Sequence, residues 1–165
     1  MTTDANAEQT DQLAVRRTIA ASPQTVFGVL ADPAQHAAID GTGWVRDPRS
    51  SGPITAVGDV FEMDMFHPNV GGDYVMRNEV VAFDPPSAIA WLPIGQGPDG
   101  QWAPGGWQWR YDLAPSGDGT QVTLTYDWSD VPQFLRDNIP FPPFPVSHLE
   151  NSLANLDALA TGSKR

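Results

Sequence analysis

The chain has 165 residues, 41% of them apolar, which is enough for one domain with a core that needs no covalent staples. Its formal net charge of −11 excludes nucleic acid and anionic membrane surfaces as partners, because phosphate binding needs clustered Lys and Arg. No cysteine is present, so there is no disulfide framework, no thiolate nucleophile and no thiolate metal site.

No run of about 18 apolar residues occurs, so no membrane-spanning helix is expected. Residues 1–11 read as a disordered polar tail without the apolar stretch of a secretory signal, 12–162 as a single domain, and 163–165 as a second short tail. With zero cysteines these features fit a cytoplasmic protein. One lysine stands against eight arginines, and Ala, Gly, Pro and Asp are abundant, a bias that suggests a GC-rich bacterial genome.

Leu13, Val15, Arg17 and Ile19 alternate and predict a first strand. Ser22-Pro23 is a helix start, with a capping hydroxyl before a proline at the first helical position. Val26, Phe27, Val29 and Leu30 give that helix its apolar stripe, and Asp32-Pro33 interrupts it. A second short helix follows to Ile39, so two short helices form a V-shaped unit rather than a crossover. His36 and Asp40 lie one turn apart on it and read as a surface pair.

Strands dominate from Trp44 onward. Trp44 to Arg46 is a short strand, and in Val60 to Phe66 the residues Phe61, Met63 and Met65 oppose Glu62 and Asp64. Tyr74 to Phe83 pairs with it across Gly71-Gly72, and Asp84-Pro85-Pro86 breaks the chain before a strand at Ile89 to Leu92. Residues 95–106, rich in Gly and Pro, read as a long flexible loop. The last hairpin places Trp107, Trp109, Tyr111 and Leu113 on one face with Val122, Leu124, Tyr126 and Trp128. Indoles and phenols carry polar tips, so this wide amphipathic face suits a binding wall better than a plain core.

Beyond Asp130, Phe141 and Phe144 stand among prolines and either cap a cavity mouth or pack as a rigid connector. Ser147 and Glu150 read as a capping box for a terminal helix of fourteen residues with a stripe of Leu149, Leu153, Leu156 and Leu159. Gly162 sits at its C-cap. His148, in the first turn, is expected to be neutral or exposed.

This order has few solutions: the sheet buries one face, and the last helix is the only long element able to cover it. The fold class is therefore α+β, an antiparallel six- to seven-stranded curved sheet wrapped around a long C-terminal helix. Ser22-Pro23-Gln24-Thr25-Val26-Phe27, Val57-Gly58-Asp59-Val60-Phe61 and Val80-Val81-Ala82-Phe83-Asp84-Pro85-Pro86 resemble the polyketide cyclase/dehydrase branch of the START-like (SRPBCC) superfamily. The resemblance covers about residues 12–161 and implies the helix-grip fold with a ligand cavity between sheet and helix. Such proteins include carriers, sensors, cyclases, dehydratases and protein-binding modules, so fold alone does not select among them.

Alternation nominates Met63, Met65, Tyr74, Met76, Trp91, Trp107, Trp109, Tyr111, Tyr126 and Trp128 as ligand-binding residues, joined by Phe141 and Phe144. The inward polar candidates for catalysis are His67, Asn78 and Tyr126. Arg77, Glu79 and Arg110 have outward parity and read as a solvated charge ladder. His36, His67 and His148 match no metal-ligand spacing, and no cofactor motif or phosphate loop is present. The leading expectation is binding of a polyketide-, lipid- or sterol-like molecule, neutral or weakly polar. A cyclase or dehydratase and a co-chaperone-like interaction module are the alternatives, and a homodimer through a sheet edge or helix is compatible with all three.

Overall fold

The computed structural model describes residues 11–40, 44–49, 52–67, 72–97, 99–137, 140–142 and 144–162. Most of both expected tails, residues 1–10 and 163–165, lies outside them, as do Gly41 to Gly43, Gly71, Ile139 and Pro143. Strand β1 (Gln12–Ile19) leads into α1 (Pro23–Leu30), a 3₁₀ turn (Pro33–Gln35) and α2 (His36–Asp40). Ser22 Oγ accepts from the Thr25 amide at 3.2 Å, and Asp32 caps the next turn through the Ala34 amide at 3.0 Å. Together these caps fold the V-shaped pair.

The strands β2 (Val45–Pro48), β3 (Val60–His67), β4 (Gly72–Asp84), β5 (Ala88–Gln96), β6 (Trp102–Pro104), β7 (Gln108–Ser116) and β8 (Gly119–Asp127) follow. With β1 they form one antiparallel sheet in the order β1-β8-β7-β5-β4-β3-β2, with β6 paired to the end of β5. Among the described residues the sheet thus has eight strands, extending the expected six to seven. The extra strand comes from the expected loop at 95–106, where Gln96 pairs with Trp102 and Ile94 with Pro104. The Arg77 guanidinium lies 4.0 Å from the Trp102 ring centroid, a contact that sequence alternation could not reveal.

The outer face carries the anticipated charges. Glu62 and Arg77 are direct cross-strand partners with Nε–Oε2 at 2.8 Å, and Arg110 holds Asp112 on its own strand at 3.0 Å. These pairs are partly exposed and contribute register more than stability.

After a short helix α3 (Gln133–Arg136), α4 (Val146–Thr161) spans about 24 Å and lies against α1, α2 and β1. Leu149, Leu153 and Leu156 are buried, and Gly162 caps the end in the left-handed region at φ 70°. The expected capping box does not form. The helix begins at Val146 with Pro145 at the N-cap and no side-chain cap, so Ser147 already sits inside the first turn. That earlier start makes the helix 16 residues long.

Candidate functional site

Between the concave face of the sheet and the helices lies a cavity of about 300 Å³. At roughly 30 Å³ per water in the liquid, that is space for on the order of ten waters, so the rings of the wall do not fill the interior. The strand register explains the wall. Phe61, Asn78 and Pro93 lie in one lateral row, and Trp91, Trp109 and Tyr126 in another. Met63 pairs with Met76 and Met65 with Tyr74, which carries the apolar surface toward β3. Unbranched Met side chains and wide rings leave irregular space where branched aliphatics would close it.

Met63, Met65, Tyr74, Met76, Trp91, Trp107, Trp109, Tyr111, Tyr126, Phe141 and Phe144 all line the cavity. Phe144 stacks on Trp109 at 5.7 Å and meets Tyr126 edge-on at 4.9 Å, while Phe141 lies 6.1 Å from Trp107. The two phenylalanines therefore pack on the wall and border the space at once. Trp107 enters the wall through Gly106, whose φ of +99° and close approach to the Asp130 carbonyl leave no room for a side chain.

Trp128 does not line the cavity. It lies beyond the end of β8, buried beside Tyr126 at 5.7 Å, with its amide donating to the Asp11 carbonyl at 2.8 Å. The alternation continues for one residue past the strand, but the cavity does not extend that far.

His67, Asn78 and Tyr126 also face the cavity without forming one constellation. Asn78 and Tyr126 are separated by two intervening strands, about 14 Å along the sheet. Asn78 makes a long contact to the Phe61 carbonyl at 3.5 Å, and His67 tilts against Trp44 at 4.6 Å. Burial pushes the Tyr126 phenol far above its ordinary range, so it remains a neutral hydroxyl.

The helical side supplies groups that strand alternation did not nominate. His36 is buried rather than paired on the surface: its Nε2–H donates to the Leu30 carbonyl at 2.8 Å, one of the free carbonyls ending α1. The ring stacks on Trp91 at 4.9 Å and meets Phe61 edge-on at 5.3 Å. Burial holds its pKa below the ordinary value, against smaller opposing effects of the Leu30 bond and Asp32. Asp40 turns instead to His148, whose Nε2 lies 3.8 Å from its Oδ1, with both side chains about 90% buried (10% and 12% exposed). His148 is thus not an exposed first-turn residue. Its ring stands 4.7 Å from Phe144 and 5.8 Å from Trp44, and burial lowers its pKa more than Asp40 raises it.

Ser152, one turn along from His148, completes this side. The hydroxyls of Ser152, Tyr111 and Tyr126 find no hydrogen-bond partner among the described residues. Among the same residues no group of three His, Cys, Asp or Glu side chains is placed to hold a metal ion, and no helix is long and apolar enough to cross a membrane. Phe61 shared the inward parity of Met63 and was legible in the sequence as a wall residue. Asp40 and His148 carried no such signal, since a helix can turn either face inward.

Comparison with known proteins agrees with this architecture. Residues 10–161 match the model of the family described as polyketide cyclase/dehydrase and lipid transport. The uncharacterized protein Rv0088 of Mycobacterium tuberculosis is 30% identical over 114 residues, 67% of this chain and 44% of its own length. The chain therefore spans less than half of that curated relative. Protein Ms6760 from Mycobacterium smegmatis superposes with a TM-score of 0.67 at 19% identity, covering 94% of each chain. CV1439 from Chromobacterium violaceum gives 0.64 at 19%, over 90% of this chain and 96% of its own. The Aha1 dimer from Colwellia psychrerythraea gives 0.57 at 21%, over 93% and 98%. At these identities the structural likenesses speak to the fold alone. Sequence match and architecture together place this chain in the polyketide cyclase/dehydrase and lipid transport family, within the START-like (SRPBCC) superfamily, with the helix-grip fold.

Proposed function

We propose that this chain binds a hydrophobic small molecule, of polyketide, lipid or sterol-like character, in the cavity between the sheet and α4. The observation that carries the reading is an unfilled space of about 300 Å³ walled by Trp, Tyr, Phe and Met, with a few buried polar groups at one side. A co-chaperone-like module would be better served by a filled interior and an apolar patch outside. A chain without cysteine fits a cytoplasmic setting for this binding. One structural neighbour is a dimer, and sedimentation at micromolar concentration tests whether this chain also pairs.

Native mass spectrometry and tryptophan-fluorescence titration with a panel of apolar probes test the binding reading. Saturation below about millimolar, with quenching that weakens in Trp109→Phe, is the expected result. A panel that never saturates removes it. An enzymatic form of the reading, a cyclase or dehydratase, draws support from His148, whose imidazole lines the cavity with the Asp40 carboxylate 3.8 Å from its Nε2, a neighbour placed to orient the ring.

A further inference from the structure

Ser152 stands on the cavity side of α4, 5% exposed, and its hydroxyl makes no hydrogen bond to any described residue. A serine inside a helix commonly donates back to the carbonyl four residues earlier. Thr161 does so on the same helix, to the Asp157 carbonyl at 2.7 Å, whereas Ser152 makes no such bond to His148. On the sheet side the phenols of Tyr111 and Tyr126, 5% and 2% exposed, are likewise without hydrogen-bond partners among the described residues. Burial pushes both phenols far above their ordinary range, so each keeps its proton. The indole N–H groups of Trp91 and Trp109, which donate and cannot accept, also find no acceptor among the described residues. Leaving buried donors unpaired carries a desolvation cost that a matched guest removes. The charged groups are not open in this way. Asp40 already accepts from the Val45 amide at 3.5 Å and neighbours His148, and no Lys or Arg is among the described lining residues.

We infer that the cavity selects an uncharged ligand with a carbonyl oxygen, which accepts from the Ser152 hydroxyl while the apolar body lies against the Met and Trp wall. This inference rests on the ligand-binding reading above and narrows it to oxo compounds. A ketone oxygen offers two lone pairs and no proton, so it pairs with O–H and N–H donors. A hydrocarbon of equal size would fit the wall and leave those donors unpaired. A carboxylate would shed its water and find no basic side chain to receive its charge.

Three probes with one bicyclic frame separate these cases: tetralin, 1-tetralone and tetralin-1-carboxylate, titrated calorimetrically into the full chain at pH 7. The ketone is expected to bind about tenfold more tightly than the hydrocarbon, and the carboxylate more weakly than the ketone by at least as much. In Ser152→Ala the ketone's advantage over the hydrocarbon should shrink to about threefold or less. The urea midpoint should not fall in that variant, because alanine suits a helix and the hydroxyl removed had no partner. The carbonyl stretching frequency of bound 1-tetralone gives a second readout in the unaltered protein: below its value in hydrocarbon solvent, and raised toward it in Ser152→Ala. A ketone bound no more tightly than the hydrocarbon would mean that water alone serves the donors, and overturns the inference while leaving apolar binding standing. An unshifted carbonyl band does the same, as does a ketone advantage that survives Ser152→Ala undiminished. Failure of all three probes to bind counts against both readings.

Discussion

The sheet wall and the helical side enclose one cavity but build it differently. The wall is a lattice of large apolar side chains fixed by strand register, with Trp91, Trp109 and Tyr126 in one row and Met63 opposite Met76 in another. The helical side has fewer large rings and carries His36, Asp40, His148 and Ser152 beside Ile39. The difference separates two tasks: the wall sets the volume and apolar character of a guest, and the helical side sets its polar chemistry. Substitutions on the two sides should therefore fail in different ways.

The largest effect is expected where the helical side is anchored. Leu153 is 1% exposed, and Leu153→Ala should cost about 3 kcal/mol through lost burial and the cavity left behind. Urea denaturation read by circular dichroism checks this, as a lower midpoint at unchanged slope. A change in slope instead would mean that α4 is released separately from the sheet.

On the wall side, Gly106→Ala should cost about 2 kcal/mol. A side chain there would be strained at φ +99° and would meet the Asp130 carbonyl at 2.5 Å. Because Gly106 leads Trp107 into the wall, near-ultraviolet circular dichroism should change along with the urea midpoint. A variant as stable as the parent would show that residues 129–131 move aside without cost.

The smaller effect belongs to the buried imidazoles. The folded state holds the pKa of His36 below its ordinary value near 6.5, chiefly by burial. Above that value both folded and unfolded states carry the neutral ring, and the full stability is present. As pH falls below 6.5 the unfolded chain takes up a proton that the folded one resists, so stability declines until the folded pKa is passed. His148 acts in the same direction. Wild-type protein should therefore lose more urea resistance between pH 7.5 and 5 than His36→Gln does. Equal losses would assign the acid limb to other groups.

Legibility in the sequence followed the same division. The inward positions of Met63, Met65, Tyr74 and Met76 were open to reading because strand side chains alternate with a fixed period of two. The terminal helix was recognisable from its leucine stripe, although its start was not, since Pro145 rather than Ser147 occupies the N-cap. Trp128 misled because alternation outlasts the strand by one residue. His36 misled because its i,i+4 relation to Asp40 suggested a local pair, whereas the carbonyl it serves belongs to Leu30 across the α1–α2 turn.

By itself the sequence determined most of the elements and the sheet face that looks inward, because periodicity, caps and turns are local, and its short motifs carried the resemblance to the family. Only the tertiary structure decided that β6 joins the sheet, that Asp40 meets His148, and that an unfilled space remains between them and the wall. Those outcomes depend on how far each helix turns about its own axis and how closely it approaches the sheet. That rotation and distance are set by the summed packing of residues far apart in the chain, and no local pattern encodes them.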